Sequence, residues 1–257
     1  MKQSVFHNEK KVEYALIIAG GASKRMVENK NWIDFNGKPM LRQVLHRLYE
    51  SGIDKVTVCY VEDGLPKQSL DIEEDEVWED EYQHLGQKLP WTAEMWQTIT
   101  LNGVDDELLK TIRHPLLGIR EAVLSAAKNV KCKIAMLISN DVPILDPALV
   151  SALHGQLDSS CSGVMAQMSD GQPAPLLSLV KPKELLSRME DGYAATVLAL
   201  ANNEKTPSTT SVMIQAGVKV VDIATLTASG VDMTRLQGAN TPEELEGLKR
   251  RWKEINQ

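Results

Sequence analysis

Cysteine is scarce and scattered. Cys59, Cys132 and Cys161 stand alone, with no C-x-x-C pair and no Cys/His spacing suited to zinc. Cys59 and Cys132 lie in or beside apolar runs, so buried thiols are expected there rather than reactive ones. No apolar stretch approaches the length of a bilayer span. The opening run MKQSVFHNEKK holds no apolar signal core, and the expected location is the cytoplasm. Positive charge is also short: the formal net charge of −7 argues against non-specific nucleic-acid binding. Any phosphate ligand must therefore be held by a local positive patch. The usual phosphate loops are missing too. Gly37-Lys38 is followed by Pro39, which fails the G-x-x-x-x-G-K-[ST] pattern, and no G-x-G-x-x-G occurs, so a dinucleotide-binding Rossmann site lacks its fingerprint. The acidic stretch from Glu62 to Tyr82, with Glu73-Glu74-Asp75-Glu76 at its centre, has none of the spaced glycine turns of an EF-hand and reads as a solvated surface segment. Internal repeats are absent.

What is present begins at Ala15. The run ALIIAGGASKRMVENK passes from a short apolar strand, Leu16 to Ala19, into Gly20-Gly21, then Ser23, Lys24, Arg25 and Lys30. Glycines let backbone N–H groups approach an anion closely, and the cations beyond them supply charge. By itself such a turn is as often a surface feature as a polyphosphate cradle.

A second informative site is Ser139-Asn140-Asp141-Val142-Pro143, which follows the apolar strand Lys133–Ser139. Ligands of open α/β sheets bind beyond the carboxyl ends of the strands. Asp141 stands at such an end, in a turn stiffened by Pro143. One carboxylate together with phosphate oxygens is a common way to hold Mg²⁺. Capping of the turn is the alternative role for this side chain.

Between these sites the pattern predicts alternating strands and helices. A helix is expected from Pro39 to Tyr49, a β-branched strand at Lys55–Tyr60, and hence a βαβ unit with parallel pairing. Trp91, Met95, Trp96 and Ile99 fall at helical spacing within Leu89–Leu109. A helix is expected over Pro115–Asn129, and another from Asp146-Pro147 to Gly155 with Asp146 as N-cap. Gly163–Met168, Leu176–Val180 and Val218–Ile223 read as strands. Lys183–Asn202 reads as helix with a break near Gly192. Thr241-Pro242-Glu243-Glu244 is a capping box that opens a helix to about Ile255. The length suits one domain, residues 1–257, with an acidic and helical insertion at about 62–110.

In this order the motifs resemble the MobA-like nucleotidyltransferases, whose opening reads LAGGxSxRMGxxKxxLxxxGKPLL. Here GGASKRM, Lys30 and GKPML match, and Val27 stands where the family has glycine. SNDVPILDP resembles the family's CDMPFLSP, with Asn140 replacing a frequent cysteine. HPLLGIREAV resembles GPLAGILAAL, with His114 in place of the glycine. Gln172-Pro173 resembles the QP of GxxQPLxALY. Gly238-Ala239-Asn240-Thr241-Pro242-Glu243 resembles NxNTPE, with Gly238 for its first asparagine.

The resemblance implies an α/β fold, a Rossmann-like three-layer α/β/α sandwich around a mostly parallel sheet, of the nucleotide-diphospho-sugar transferase type. It implies a Mg²⁺-dependent transfer from an NTP, GTP or CTP, to a phosphorylated acceptor of the molybdopterin kind, with release of pyrophosphate. It further implies nucleotide contacts from Ala19, Gly20, Gly21, Ser23, Arg25 and Lys30. One of Asp105 and Asp106 would join them, with Asp106 taken here. Arg25, Lys30 and Asp141 would be catalytic, Asp141 would hold the metal, and Gln172 and Asn240 would face the acceptor. A sugar-1-phosphate nucleotidyltransferase and a non-catalytic nucleotide-binding protein are the competing expectations. No nucleic-acid or membrane partner is expected.

Overall fold

The computed structural model describes residues 12–19, 33–53, 55–60, 96–98 and 114–255. Its strands are β1 (Tyr14–Ile18), β2 (Lys55–Tyr60), β3 (Trp96–Thr98), β4 (Ala135–Ser139), β5 (Gly163–Gln167), β6 (Pro173–Val180) and β7 (Val218–Val221). The helices are α1 (Met40–Glu50), α2 (Pro115–Lys128), α3 (Ala148–Gly155), α4 (Pro182–Ala201), α5 (Thr209–Gln215), α6 (Ile223–Ala228) and α7 (Pro242–Ile255). A short 3-10 turn, Met233–Leu236, precedes α7. The strands form one sheet in the order β3-β2-β1-β4-β6-β5-β7. Pairing is parallel throughout except for β6, which runs antiparallel to both β4 and β5.

The period-2 alternation of the strands sorts their side chains into two layers. From β1, Ala15 and Ile17 face one core, and Leu16 and Ile18 the other; β4 divides the same way into Met136 and Ile138 against Ala135 and Leu137. The first core receives α1, α3 and α6 through Leu41, Val44, Leu45, Leu48, Leu149, Leu153 and Leu226. The second receives α2, α4 and α5 through Leu116, Ile119, Val123, Leu185, Met189 and Val212. Helices therefore cover both faces of a mostly parallel sheet, and the three-layer expectation holds.

Several local expectations change. Within Leu89–Leu109 the described residues Trp96–Thr98 form a strand, not a helix, and pair in parallel with Val58–Tyr60. Edge pairing with β2 outweighs the helical spacing of the apolar residues, a spacing that cannot by itself separate short strands from helices. The rest of that segment lies outside the described residues. No break occurs at Gly192: α4 runs continuously, and a Cβ on Gly192 would stand 2.6 Å from Val212 Cγ1. The glycine lets α5 approach α4. The strand read from Leu176 starts at Pro173, and its partner β5 slips register between Met165 and Ala166. The strand read to Ile223 stops at Val221, because Asp222 caps α6 by accepting from the Thr225 N–H at 2.7 Å. Asp146 does cap its helix, accepting from the Ala148 N–H at 2.9 Å, and its second oxygen accepts from the Asp232 N–H at 2.7 Å.

All three cysteines are buried and free. Burial raises the Cys59 thiol to about 12 and the Cys132 thiol to about 11, which makes both poor nucleophiles near neutral pH. Among the described residues no helix is long and apolar enough to cross a membrane.

Candidate active site

The sheet order creates one crevice. β1 is flanked by β2 on one side and β4 on the other, while α1 and α2 cover opposite faces. Such a switch point leaves the carboxyl ends of β1 and β4 open to a ligand. Register aligns those ends: Ile18 pairs with Ser139. The next residue, Ala19, is buried and its N–H donates to the Cys59 carbonyl at 2.8 Å. The chain thus leaves β1 for the glycine–cation run at the edge where β4 delivers Asp141.

Asp141 is half-buried, between buried Asn140 and a buried turn of Val142, Ile144 and Leu145. Apolar anchors on the following side fix the carboxylate at the sheet edge. A segment from the far end of the chain closes on it. The Ala239 N–H donates to the Asp141 carbonyl at 3.2 Å. A Cβ on Gly238 would lie 3.2 Å from Asp141 Oδ1 and 3.3 Å from Cγ. That is tighter than ordinary van der Waals contact, so glycine is the residue that lets this segment approach the carboxylate. Residues 233–236 are tied to the same turn, with Arg235 Nε donating to the Ile144 carbonyl at 3.3 Å.

Asn240 is exposed just before α7, beside the expected capping box. The Asn240 and Thr241 N–H groups donate to Glu244 Oε2 at 2.6 and 3.1 Å, and the Glu244 N–H returns to Thr241 Oγ1 at 3.2 Å. Gln172 is exposed in the β5–β6 hairpin. Its carbonyl accepts from the Met168 N–H at 2.8 Å and its own N–H donates to Asp170 Oδ1 at 2.9 Å. A cleft of about 620 Å³ separates the turn of this hairpin from α7, bounded by Met168, Asp170, Gln237, Gly238, Arg250 and Arg251 among others. Gln172 and Asn240 flank its lining in sequence without forming part of it. Neither Arg250 nor Arg251 falls within a sequence motif.

His114 accepts from the Leu116 N–H through Nδ1 at 3.3 Å and so caps α2. Burial lowers its pKa, which favours the neutral ring that can accept. Gly20, Gly21, Ser23, Arg25, Val27, Lys30, Asp105 and Asp106 lie outside the described residues. Among the described residues, no group of three or more His, Cys, Asp or Glu side chains could hold a metal ion. A divalent cation at the switch point would be bound by the Asp141 carboxylate together with oxygens of a phosphorylated substrate, a donor set of hard oxygens that suits Mg²⁺.

Residues 15–88 match the family model described as the MobA-like NTP transferase domain, an enzyme domain of the nucleotidyltransferase type. No curated protein matches the chain. Among solved structures, the chain resembles molybdopterin-guanine dinucleotide biosynthesis protein A from Archaeoglobus fulgidus at a TM-score of 0.59 and 14% identity, over 94% of this chain and 99% of that one. It resembles 4-diphosphocytidyl-2C-methyl-D-erythritol synthase from Anaerococcus prevotii at a TM-score of 0.55 and 13% identity, over 95% of this chain and 97% of that one. The fold is therefore shared with both along nearly their whole length.

Proposed function

We propose that this chain is a Mg²⁺-dependent nucleotidyltransferase that transfers an NMP unit from a nucleoside triphosphate to a phosphorylated small molecule and releases pyrophosphate. The observation that carries this reading is the position of Asp141. A half-buried carboxylate stands just past β4, the strand that pairs with β1 of the matched NTP-transferase region, and β1 feeds the glycine–cation run.

No side-chain nucleophile is required. An oxygen of the acceptor phosphate attacks the α-phosphorus, the bond to the β-phosphate oxygen breaks, and pyrophosphate leaves. The protein contributes alignment and charge stabilisation. In this reading Gly20 and Gly21 hold the triphosphate through close backbone approach, Ala19 and Ser23 border the nucleotide, and Asp106 contacts the nucleoside. Arg25 forks onto the β- and γ-phosphates. Lys30 stabilises charge at the α-phosphate. Mg²⁺ held by Asp141 would neutralise charge on the phosphate oxygens during transfer. Gln172 and Asn240 serve the acceptor from either side of the cleft.

GTP or CTP with a molybdopterin acceptor is the leading assignment, and a sugar 1-phosphate acceptor the alternative. The protein acts as one cytoplasmic domain with the segment at about 62–110 inserted. The test is pyrophosphate detection after incubation with each NTP, Mg²⁺ and a panel of phosphorylated acceptors. Release that requires one NTP and one acceptor supports the proposal. Nucleotide binding without release from any pair would instead favour a non-catalytic nucleotide-binding protein.

A further inference from the structure

The cleft beside Asp141 has a chemistry of its own. Gly238 belongs to its wall and lies against the Asp141 carboxylate, so the cleft reaches the segment that packs on that carboxylate. From there it extends between residues 168–170 and the outer side of α7. Met168 and Leu248 are its apolar walls, and the remaining surface is mostly polar or charged. A lipid-like or aromatic body would leave these polar groups poorly solvated, whereas a hydroxylated or amide-rich one would satisfy them.

Charge in the cleft is unevenly committed. Two of the wall's carboxylates are turned onto backbone donors: Glu244 accepts from Asn240 and Thr241, and Asp170 accepts from Gln172. Glu254, exposed in the last turn of α7, is the remaining carboxylate. Neither guanidinium is hydrogen-bonded to a carboxylate among the described residues, while Arg251 helps to lower the pKa of Asp232 and Arg250 that of Glu246. Arg251 Nη1 donates to the Thr234 carbonyl at 2.7 Å and to Gln237 Oε1 at 2.8 Å, both neutral oxygens that orient the group without cancelling its charge. Arg250 is exposed, and no hydrogen bond or ion pair among the described residues engages it. Gln237, which steadies Arg251, directly precedes Gly238. An oriented cation and an exposed one therefore line the cleft beside Gly238.

We propose that this cleft is the acceptor site, that Arg250 and Arg251 hold the acceptor's phosphate group, and that the acceptor is a polar, hydrogen-bonding molecule. The proposal rests on the nucleotidyltransferase reading. Guanidinium forks suit phosphate oxygens, and an acceptor phosphate held there lies in the cleft walled by Gly238, the residue packed on the carboxylate that would carry the metal.

The test uses the full ¹⁵N-labelled chain, with the amide resonances of Gly238 and Gly247 as reporters. Inorganic phosphate and glucose 1-phosphate are titrated separately, with glucose and matched sodium chloride as controls; Mg·GTP and Mg·CTP binding is measured in a parallel arm. Saturable shifts at both glycines with the phosphates and not with the controls are expected. Arg250→Gln should weaken them at least about fivefold, with Arg250→Lys in between, while nucleotide affinity stays within about twofold. Nucleotide binding with no saturable shift at the glycines, or shifts unchanged in Arg250→Gln, would overturn the cleft assignment alone. Phosphate binding at the glycines with no nucleotide binding would overturn the nucleotidyltransferase reading and the acceptor role with it.

Discussion

At the scale of single residues, the proposed site rests on one carboxylate and on the glycine against it. Asp141→Asn keeps the shape and removes the charge, and Lys30→Ala removes the cation assigned to the α-phosphate. Each should lower turnover at least about a hundredfold, the scale of losing one preorganised charge stabiliser. Steady-state pyrophosphate release checks both, and near-normal turnover in either variant would remove that residue from the mechanism. Gly238 is subtler. Here a Cβ would meet the Asp141 carboxylate at 3.2 Å. Gly238→Ala must displace that carboxylate by a few tenths of an ångström. Turnover should fall by about tenfold while the melting temperature barely moves, because misalignment at a reacting centre costs more than it does in the fold. Equal turnover would mean that the carboxylate has slack.

At the scale of elements, the caps and close contacts make sharper predictions than the propensities. α2 is capped by a histidine whose ring must be neutral to accept the Leu116 N–H. Its pKa is lowered in the folded chain by burial, so the unfolded state binds the proton more tightly. The associated stability is present above the ordinary histidine pKa and is lost as pH falls through the lower folded value. His114→Ala should therefore cost about 0.5–1 kcal/mol in urea denaturation at pH 8 and markedly less at pH 5. A cost that does not vary with pH would show that the ring acts by packing. Gly192→Ala, with its Cβ 2.6 Å from Val212, should destabilise by about 1–3 kcal/mol despite alanine's better helix propensity. These residues also show where the sequence was legible. β1, α1, β2, α2 and β4 follow from apolar runs, a helix-starting proline and β-branched residues. Gly192 resembled a break because a glycine placed for a neighbouring helix looks the same in sequence as one placed for a turn. Trp96 looked helical because apolar spacing carries no information about an open sheet edge. The antiparallel course of β6 follows from its hairpin with β5, where Gly171 adopts φ +82°.

At the scale of the whole molecule, the two ends of the chain meet at the site through a third, small core. Ile33, Phe35 and Met40 pack with Ile144, Ala239, Leu245 and Leu248, with Trp252 against them. One apolar cluster thus gathers the segment that follows Lys30, the turn that follows Asp141, the residue after Gly238 and the helix that carries Arg250. The candidate residues at the glycine turn and at Asp141 were legible because chemistry confines them to short motifs. The cleft was not, because Gly238 and Arg250 meet residues 168–170 there only through packing across about seventy to eighty residues of chain. Phe35 and Trp252 hold that junction edge to face, with ring centroids 5.9 Å apart at 79°, and the Arg47 guanidinium lies 4.3 Å over the indole. An aromatic pair of this geometry is worth about 0.5–1.5 kcal/mol beyond its buried area. Phe35→Leu and Trp252→Leu should each destabilise the chain, and a double-mutant cycle in urea should return a coupling of about 1 kcal/mol. Because Phe35 lies five residues beyond Lys30, Phe35→Leu should also weaken Mg·GTP binding several-fold under conditions where the variant is still fully folded. Trp252→Leu, acting from the other side of the same contact, should do the same in smaller measure. Additive stabilities together with unchanged nucleotide affinity would show that the third core only closes the fold and leaves the nucleotide loop to its own geometry.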